Sequence, residues 1–237
     1  MRFNSDQIQK IGKEISSKVD GKTLFDEFSR GRYSTDASVY QIKPLGVVLP
    51  KDTNDVLSLM EYSQKNSVPL LARGGGSSQC GQTVGESVVL DYSKHQNKIL
   101  ELNVEEKYVW VQPGVVLDHL NAYLKPHGLW FPVDVSTSSR ATIGGMSANN
   151  SCGSRSLYYG NMVHNVLAIE AILDDGSIFN FDQINKNYLA TKNNQDRLYK
   201  IIDKFINVRQ NVGSEIDANW PTTQRRVGGY NIDLIDP

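Results

Sequence analysis

The chemistry this chain can do begins with glycine. Gly74-Gly75-Gly76-Ser77-Ser78 follows directly on the apolar run Val68-Pro69-Leu70-Leu71-Ala72 and Arg73. Consecutive glycines adopt positive φ without steric penalty and can turn successive N–H groups inward, which builds a concave nest for phosphate oxygens. The stretch is not a Walker loop, because no Gly-Lys-Ser/Thr follows, and it lacks the Gly-x-Gly-x-x-Gly spacing of a dinucleotide fingerprint. Read alone, the triplet fits a tight turn as well as a nest. A second stretch runs from Ser136 through Thr137, Arg140, Thr142, Gly144, Gly145, Ala148, Asn149 and Cys152 to Gly153. Small polar residues and glycines there offer many backbone donors and hydroxyls with little bulk, which suits an extended, hydrogen-bonding, partly flat ligand. Ile143, Met146 and Ala148 lie within it, and Trp130-Phe131-Pro132 and Leu157-Tyr158-Tyr159 flank it. A loop seated in a core fits those neighbours better than a solvated one.

Conventional catalytic side chains are sparse. His95, His119, His127 and His164 contain no pair at metal spacing and read as surface or helix-end residues. Cys80 and Cys152 form neither a disulfide framework nor a ligand spacing. Cys80 reads as packing beside the glycine stretch, and Cys152 as a small buried thiol rather than a redox group. Arg73 can balance phosphate charge or pair with a carboxylate. Arg225-Arg226 can meet an anionic carboxylate bidentately or form a solvated basic pair. No catalytic residue and no metal ligand is assigned.

These residues need elements to position them. Ile8, Ile11 and Ile15 lie at helical spacing in a polar lead-in over 1–39, which closes in a loop at Ser34-Thr35-Asp36-Ala37-Ser38. Val47-Val48-Leu49 is a short strand stopped by Pro50, and Asp52 or Thr53 caps a helix reaching about Asn66. With Val68–Ala72 this makes a β-α-β unit that ends in the glycine stretch. Val88–Leu90, Ile99–Leu102 and Tyr108–Val111 are further strands, the last ended by Pro113-Gly114. Leu117, Leu120 and Leu124 mark a helix terminated at Pro126-His127-Gly128. Residues 134–159 read as one long loop, 166–181 as a hairpin turning at Asp174-Asp175-Gly176, and 196–212 as a helix before an irregular tail.

The 237 residues carry 25 Lys+Arg against 26 Asp+Glu, so a basic, phosphate-gripping nucleic-acid face is not expected. Hydrophobic residues make up 39%, enough for a buried core, yet no apolar run approaches the roughly 20 residues of a membrane span. The opening residues lack the apolar core of a signal peptide, so the expected address is cytoplasmic, with peripheral attachment at the inner membrane as the alternative.

Several of these segments, in order, resemble one family. Arg73-Gly74-Gly75-Gly76-Ser77-Ser78-Gln79-Cys80-Gly81-Gln82 is similar to the pyrophosphate loop of the FAD-linked oxidases, the p-cresol methylhydroxylase and vanillyl-alcohol oxidase type. Val111-Gln112-Pro113-Gly114, Ala141-Thr142-Ile143-Gly144-Gly145-Met146, Ser151-Cys152-Gly153, Tyr159-Gly160 and Val166–Glu170 with Asp175-Gly176 match in turn. The likeness runs from about residue 40 onward. It is nearest to D-2-hydroxyacid dehydrogenases of the kind fused to an iron–sulfur module, which Ser151–Ser156 and Gly228-Gly229-Tyr230-Asn231 resemble in particular.

The resemblance implies an α+β, two-subdomain FAD-binding fold of the PCMH type, truncated at its C-terminus. Its domain would span 40–237, with subdomains at about 40–103 and 104–237 clamping FAD. Gly74, Gly75, Gly76, Ser77 and Ser78 would wrap the pyrophosphate, with Arg73, Gly81 and Gln82 beside them. Pro132, Thr137, Thr142, Gly144 and Gly145 would line the second half of the site. Ala148, Asn149, Cys152 and Gly153 would pass close to the ribityl chain and the flavin ring. A histidine stands in the glycine loop of covalent members, and its absence here implies noncovalent FAD. The implied function is oxidation of a small 2-hydroxyacid, D-lactate or D-2-hydroxyglutarate, by hydride transfer to flavin N5. Electrons would then leave for an acceptor other than oxygen, an iron–sulfur module being one candidate. The substrate-binding cap is expected to lie beyond this chain. The alternatives are a flavoprotein oxidase of another alcohol or sugar, and a FAD-binding module with no turnover by itself. Valine at Gly75 is expected to block the nest and leave the chain folded.

Overall fold

The computed structural model describes residues 3–182, 196–223, 226 and 230–235. Arg225, Gly228, Gly229, Asp236 and Pro237 therefore lie outside the described residues.

The lead-in does more than precede the fold. Helix α1 (Ser5–Ser16) opens with a capping box in which Gln7 N–H donates to Asn4 Oδ1 at 2.9 Å and Asn4 N–H to Gln7 Oε1 at 2.8 Å. Its 3.6-residue period places Ile8, Ile11 and Ile15 on one buried face. Strand β1 (Lys22–Leu24) then joins the principal sheet, antiparallel to β2 (Gly46–Leu49), and is followed by the short helix α2 (Glu27–Arg32).

Helix α3 (Thr53–Asn66) is capped by Asp52, which accepts from Asn54 N–H at 2.9 Å, and ends at Ser67 in the left-handed region. It buries Val56, Leu59 and Tyr62 against the sheet. Strands β3 (Leu70–Arg73) and β4 (Val88–Asp91) complete the order β1-β2-β4-β3, with β4 parallel to both neighbours. The expected β-α-β unit is present, but β4 is inserted between its two strands. Every residue of β2 and β4 is buried, as the unbroken apolar runs of strands covered on both faces require. Asp55 is buried too, and accepts from Asp20 N–H at 2.7 Å, Gly21 N–H at 2.9 Å and Lys51 N–H at 2.7 Å, tying the lead-in to the head of α3.

Strands β5 (Ile99–Asn103) and β6 (Tyr108–Val111) form an antiparallel hairpin. It packs beneath helix α4 (Leu117–Leu124), whose Leu120 and Leu124 meet Ile99, Leu102, Val109 and Val111. The helix closes in a 3-10 turn, Lys125–His127, with Gly128 at φ 70°. The stretch expected to be one loop over 134–159 instead contains helices α5 (Ile143–Ala148) and α6 (Ser156–Tyr159), and α7 (Met162–Asn165) follows. Its glycines do not prevent helix formation because Thr142 caps α5 and Met146 anchors it in the core. Strands β7 (Ile169–Ile172) and β8 (Ile178–Phe181) make the expected hairpin, turning at Gly176 with φ 81°. Helix α8 (Arg197–Asn219) continues past the expected end near residue 212, because Ile216 finds a buried seat. The α+β class stands; the second half holds two hairpins rather than one sheet among the described residues. No helix among the described residues is long and apolar enough to cross a membrane.

Candidate functional site

The two glycine-rich stretches are in direct contact. The first leaves the carboxyl end of β3. A Cβ on Gly74 would overlap Thr142 Oγ1 and stand 3.2 Å from Thr142 Cβ. One on Gly75 would overlap the Arg140 carbonyl oxygen and stand 2.9 Å from its carbon. The glycines are thus demanded by close approach of backbone to backbone. Positive φ, the reason expected from the triplet, applies only to Gly76 at 64° among Gly74–Gly76.

That packing makes a ledge. The N–H groups of Gly74, Gly75, Gly76, Ser77 and Ser78 meet no acceptor among the described residues. Backbone donors left unpaired by the fold must be satisfied by water or a ligand, so consecutive ones form a ready anion-binding surface. Ser78 Oγ donates to Gln82 Oε1 at 2.6 Å and accepts from Cys80 N–H at 3.2 Å, which curls the far end of the stretch. Gly81, at φ 72°, turns under Tyr40, where a Cβ would stand 2.5 Å from the ring.

The facing stretch is fixed by the segment leading into α4. Leu117 N–H donates to Ala141 O at 3.0 Å, Ile143 N–H to Val115 O at 2.8 Å and Gly144 N–H to Pro113 O at 2.9 Å. Gly114 and Gly144 permit this zipper: a Cβ on Gly114 would stand 2.6 Å from Gln96 O, and one on Gly144 2.9 Å from Pro113 Cα. Thr137 O accepts from Arg140 N–H and Ala141 N–H at 2.8 Å each. Thr142 is buried and accepts from Gly145 N–H at 3.4 Å, while Gly145 itself stays exposed.

At the end of α5, Ala148 and Asn149 are exposed, and Asn149 Oδ1 accepts from Ser151 Oγ at 2.5 Å. Ala148 borders a cleft of about 240 Å³, whose lining also includes Ser147, Asn150, Phe205, Tyr230 and Asn231. Asn150, at φ 50° and buried, accepts from Val163 N–H at 3.0 Å and donates to Asn231 Oδ1 at 3.0 Å. Cys152 is half-buried. Gly153 belongs to a clamp around Asp134, whose carbonyl oxygen a Cβ there would overlap. Asp134 accepts from Ser154 Oγ at 2.6 Å and Arg155 N–H at 2.8 Å. Burial works to raise its carboxyl pKa, but those hydrogen bonds outweigh burial and hold it below the usual carboxylate range. Pro132 is half-buried in the irregular run that delivers Asp134.

Arg73 is engaged inside the protein. Its guanidinium donates to the carbonyls of Thr35 at 2.9 Å, Thr83 at 3.2 Å and Tyr33 at 3.4 Å. All four histidines are exposed, and Cys80 is exposed rather than packed. Tyr158 is 84% exposed; it meets Tyr159 edge-on, which in turn meets Trp130 beneath Arg155. Sequence reasoning missed Asp134 and Asn150 as the residues that shape this half. The one available signal was that asparagine tolerates left-handed backbone.

Comparison with known proteins gives the family of the chain. A family model described as FAD binding domain matches residues 44–182, more than half the chain. D-2-hydroxyglutarate dehydrogenase of Haemophilus influenzae is 42% identical over 212 residues, which are 85% of this chain and 20% of that protein. The mitochondrial D-lactate dehydrogenase [cytochrome] of Kluyveromyces lactis is 40% identical over 140 residues, 57% of this chain and 24% of that protein. The chain thus spans about a fifth to a quarter of these relatives' length. Among solved structures, p-cresol methylhydroxylase with substrate bound superposes with a TM-score of 0.60 at 18% identity, over 75% of this chain and 36% of that one.

Proposed function

Because the chain belongs to the FAD binding domain family, we propose that it is the FAD-binding portion of a dehydrogenase that oxidises a small 2-hydroxyacid, D-2-hydroxyglutarate first and D-lactate second. The observation that carries the reading is the ledge: unpaired N–H groups of Gly74–Ser78, held in place by the contact of Gly74 and Gly75 with Arg140–Thr142. A diphosphate needs several donors converging on a small volume, and backbone donors supply them without side-chain entropy.

The cofactor is FAD, which when bound supplies the hydride acceptor. In this chain, Gly74, Gly75, Gly76, Ser77 and Ser78 donate to the pyrophosphate. Gly81 and Gln82 shape the end of that loop, and Arg73 braces it from below. Thr137, Thr142, Gly144 and Gly145 form the opposing wall. Ala148, which lines the cleft, and the exposed Asn149 beside it would face the flavin end, while Pro132, Cys152 and Gly153 would define its border through the Asp134 clamp. Gly74–Ser78 holds no histidine, which supports noncovalent binding. Substrate recognition, the base and transfer to an acceptor such as an iron–sulfur module belong to the rest of the parent enzyme, working in the cytoplasm or at the inner face of a membrane.

A second reading describes the chain by itself, as a FAD binder without turnover. It is favoured because the ledge consists of backbone, hydroxyls and one guanidinium, none of which takes a proton from an alcohol at neutral pH. Purified chain should be yellow, acid should release the flavin intact, and apo chain should take up FAD at micromolar concentration. Failure to bind FAD overturns the cofactor assignment. Bleaching of bound flavin by D-2-hydroxyglutarate or D-lactate overturns the binder-only reading.

A further inference from the structure

Residues ahead of the family match hold the glycine stretch in place. The chain leaving α2 wraps over it from Tyr33 to Tyr40. Thr35 O and Tyr33 O accept from the Arg73 guanidinium, as does Thr83 O from the far side of the loop. The Tyr33 ring lies over the same guanidinium, 5.2 Å from its carbon. Tyr33 is itself fixed by donating to Asp91 Oδ2 at 2.7 Å, on the β4 residue paired with Arg73. The other Asp91 oxygen accepts from Ser93 N–H at 2.8 Å and Ser93 Oγ at 2.6 Å. Asp36 accepts from Thr83 Oγ1 at 3.1 Å, and Tyr40 covers Gly81.

Two consequences follow for Arg73. Its fork is orientated by three carbonyls rather than by a direct ion pair, with the carboxylates of Asp36 and Asp91 engaged by Thr83 and Tyr33. It also lies directly under the ledge, since a Cβ on Gly76 would stand 2.9 Å from the guanidinium carbon. A cation below a row of backbone donors strengthens their field toward an anion without touching it. Lysine could not replace it, because a single ammonium cannot span three carbonyls in a planar fork.

We propose that the strap Tyr33–Tyr40 is a positioning device for cofactor affinity: it locks the Arg73 guanidinium beneath Gly76 and so sets how tightly the ledge holds a diphosphate. This rests on the reading that Gly74–Ser78 receives the FAD pyrophosphate. Strap residues act through Arg73 and touch no cofactor, and they lie outside the matched family region.

The test uses the full chain and the variants Arg73→Lys, Tyr33→Phe and Asp36→Asn. FAD is titrated by flavin fluorescence, and ADP and riboflavin compete as the diphosphate-bearing and flavin halves. Arg73→Lys should weaken FAD and ADP about tenfold, because a fork of charge-assisted hydrogen bonds is lost. Tyr33→Phe and Asp36→Asn should each weaken them about threefold, because each loses one hydrogen bond. Riboflavin competition should be unchanged in all three, which a merely structural defect would not spare. Equal weakening of all three ligands, or no change in any, overturns the strap proposal; the two mild variants decide the matter should Arg73→Lys fold poorly. Native chain that binds no FAD overturns the pyrophosphate reading, and the strap proposal with it.

Discussion

Alanine at Gly75 isolates the contact on which the site depends. The new Cβ would overlap the Arg140 carbonyl oxygen and stand 2.9 Å from its carbon, whereas ordinary contact begins at 3.4 Å. At least half an ångström must open, by about the difference of those distances, and neither partner is a flexible side chain. Arg140 is anchored on Thr137 O, and its neighbour Ala141 is held both by that carbonyl and by Leu117 N–H. The strain falls on the junction of the two stretches and should destabilise the apo chain by about 2 kcal/mol, as overpacking does. For a chain of this size that lowers Tm by roughly 4–8 °C. Displacing the ledge should also misalign about two charge-assisted hydrogen bonds to the diphosphate, about 3 kcal/mol together, or about a hundredfold in Kd. Gly85→Ala is the control: its Cβ would meet only Leu71 Cδ2 at 3.5 Å and Ser87 Oγ at 3.6 Å, so both Tm and Kd should stay near native. FAD titration by fluorescence and thermal melting of the apo proteins read both quantities. A Gly75→Ala chain with native Tm and FAD affinity within about threefold of native refutes the contact-based account. Valine there is no clean binding defect, contrary to the sequence-based expectation, because it attacks the fold at the same place.

Gly153→Ala should destabilise the chain by about 3 kcal/mol or more, since its Cβ falls on the Asp134 carbonyl oxygen; urea unfolding measures this, and a native midpoint would contradict the clamp. Asp134 has a folded-state pKa below its unfolded value of 3.8, so its stabilising effect is present above that value and lost as pH falls through the lowered one. Melting curves from pH 7 down to about pH 2 should show Asp134→Asn less stable than native at neutral pH, with the difference shrinking on acidification.

Much of the framework was legible because it depends on local patterns. Ile8, Ile11 and Ile15, the Asp52 cap, and Gly176 in its hairpin each announce their element through periodicity, capping or turn chemistry. The two stretches that meet at the candidate site were legible as runs of small residues. Their mutual contact was not, because it joins residues far apart in sequence and is encoded only by the absence of side chains at Gly74 and Gly75. For the same reason the triplet suggested positive φ where close approach was the cause. Helix α5 was hidden by glycines that tertiary packing overrides, through Met146 and the Thr142 cap. Tyr33 was illegible as part of the site, since nothing local links it to Arg73.

The position of β4 has a consequence for how the chain acquires this structure. The strand at the middle of the parallel set is the last of the three to be synthesised, so β2 and β3 have no partner between them until residue 91 has emerged. Parallel neighbours need a crossover of about a dozen residues or more, commonly a helix. Here residues 74–87 are that crossover, and they contain no helix. Closing it carries a loop entropy that only the insertion of β4 repays. The glycine stretch therefore takes its shape at the moment the sheet closes, and folding of the framework and assembly of the anion ledge are one cooperative event.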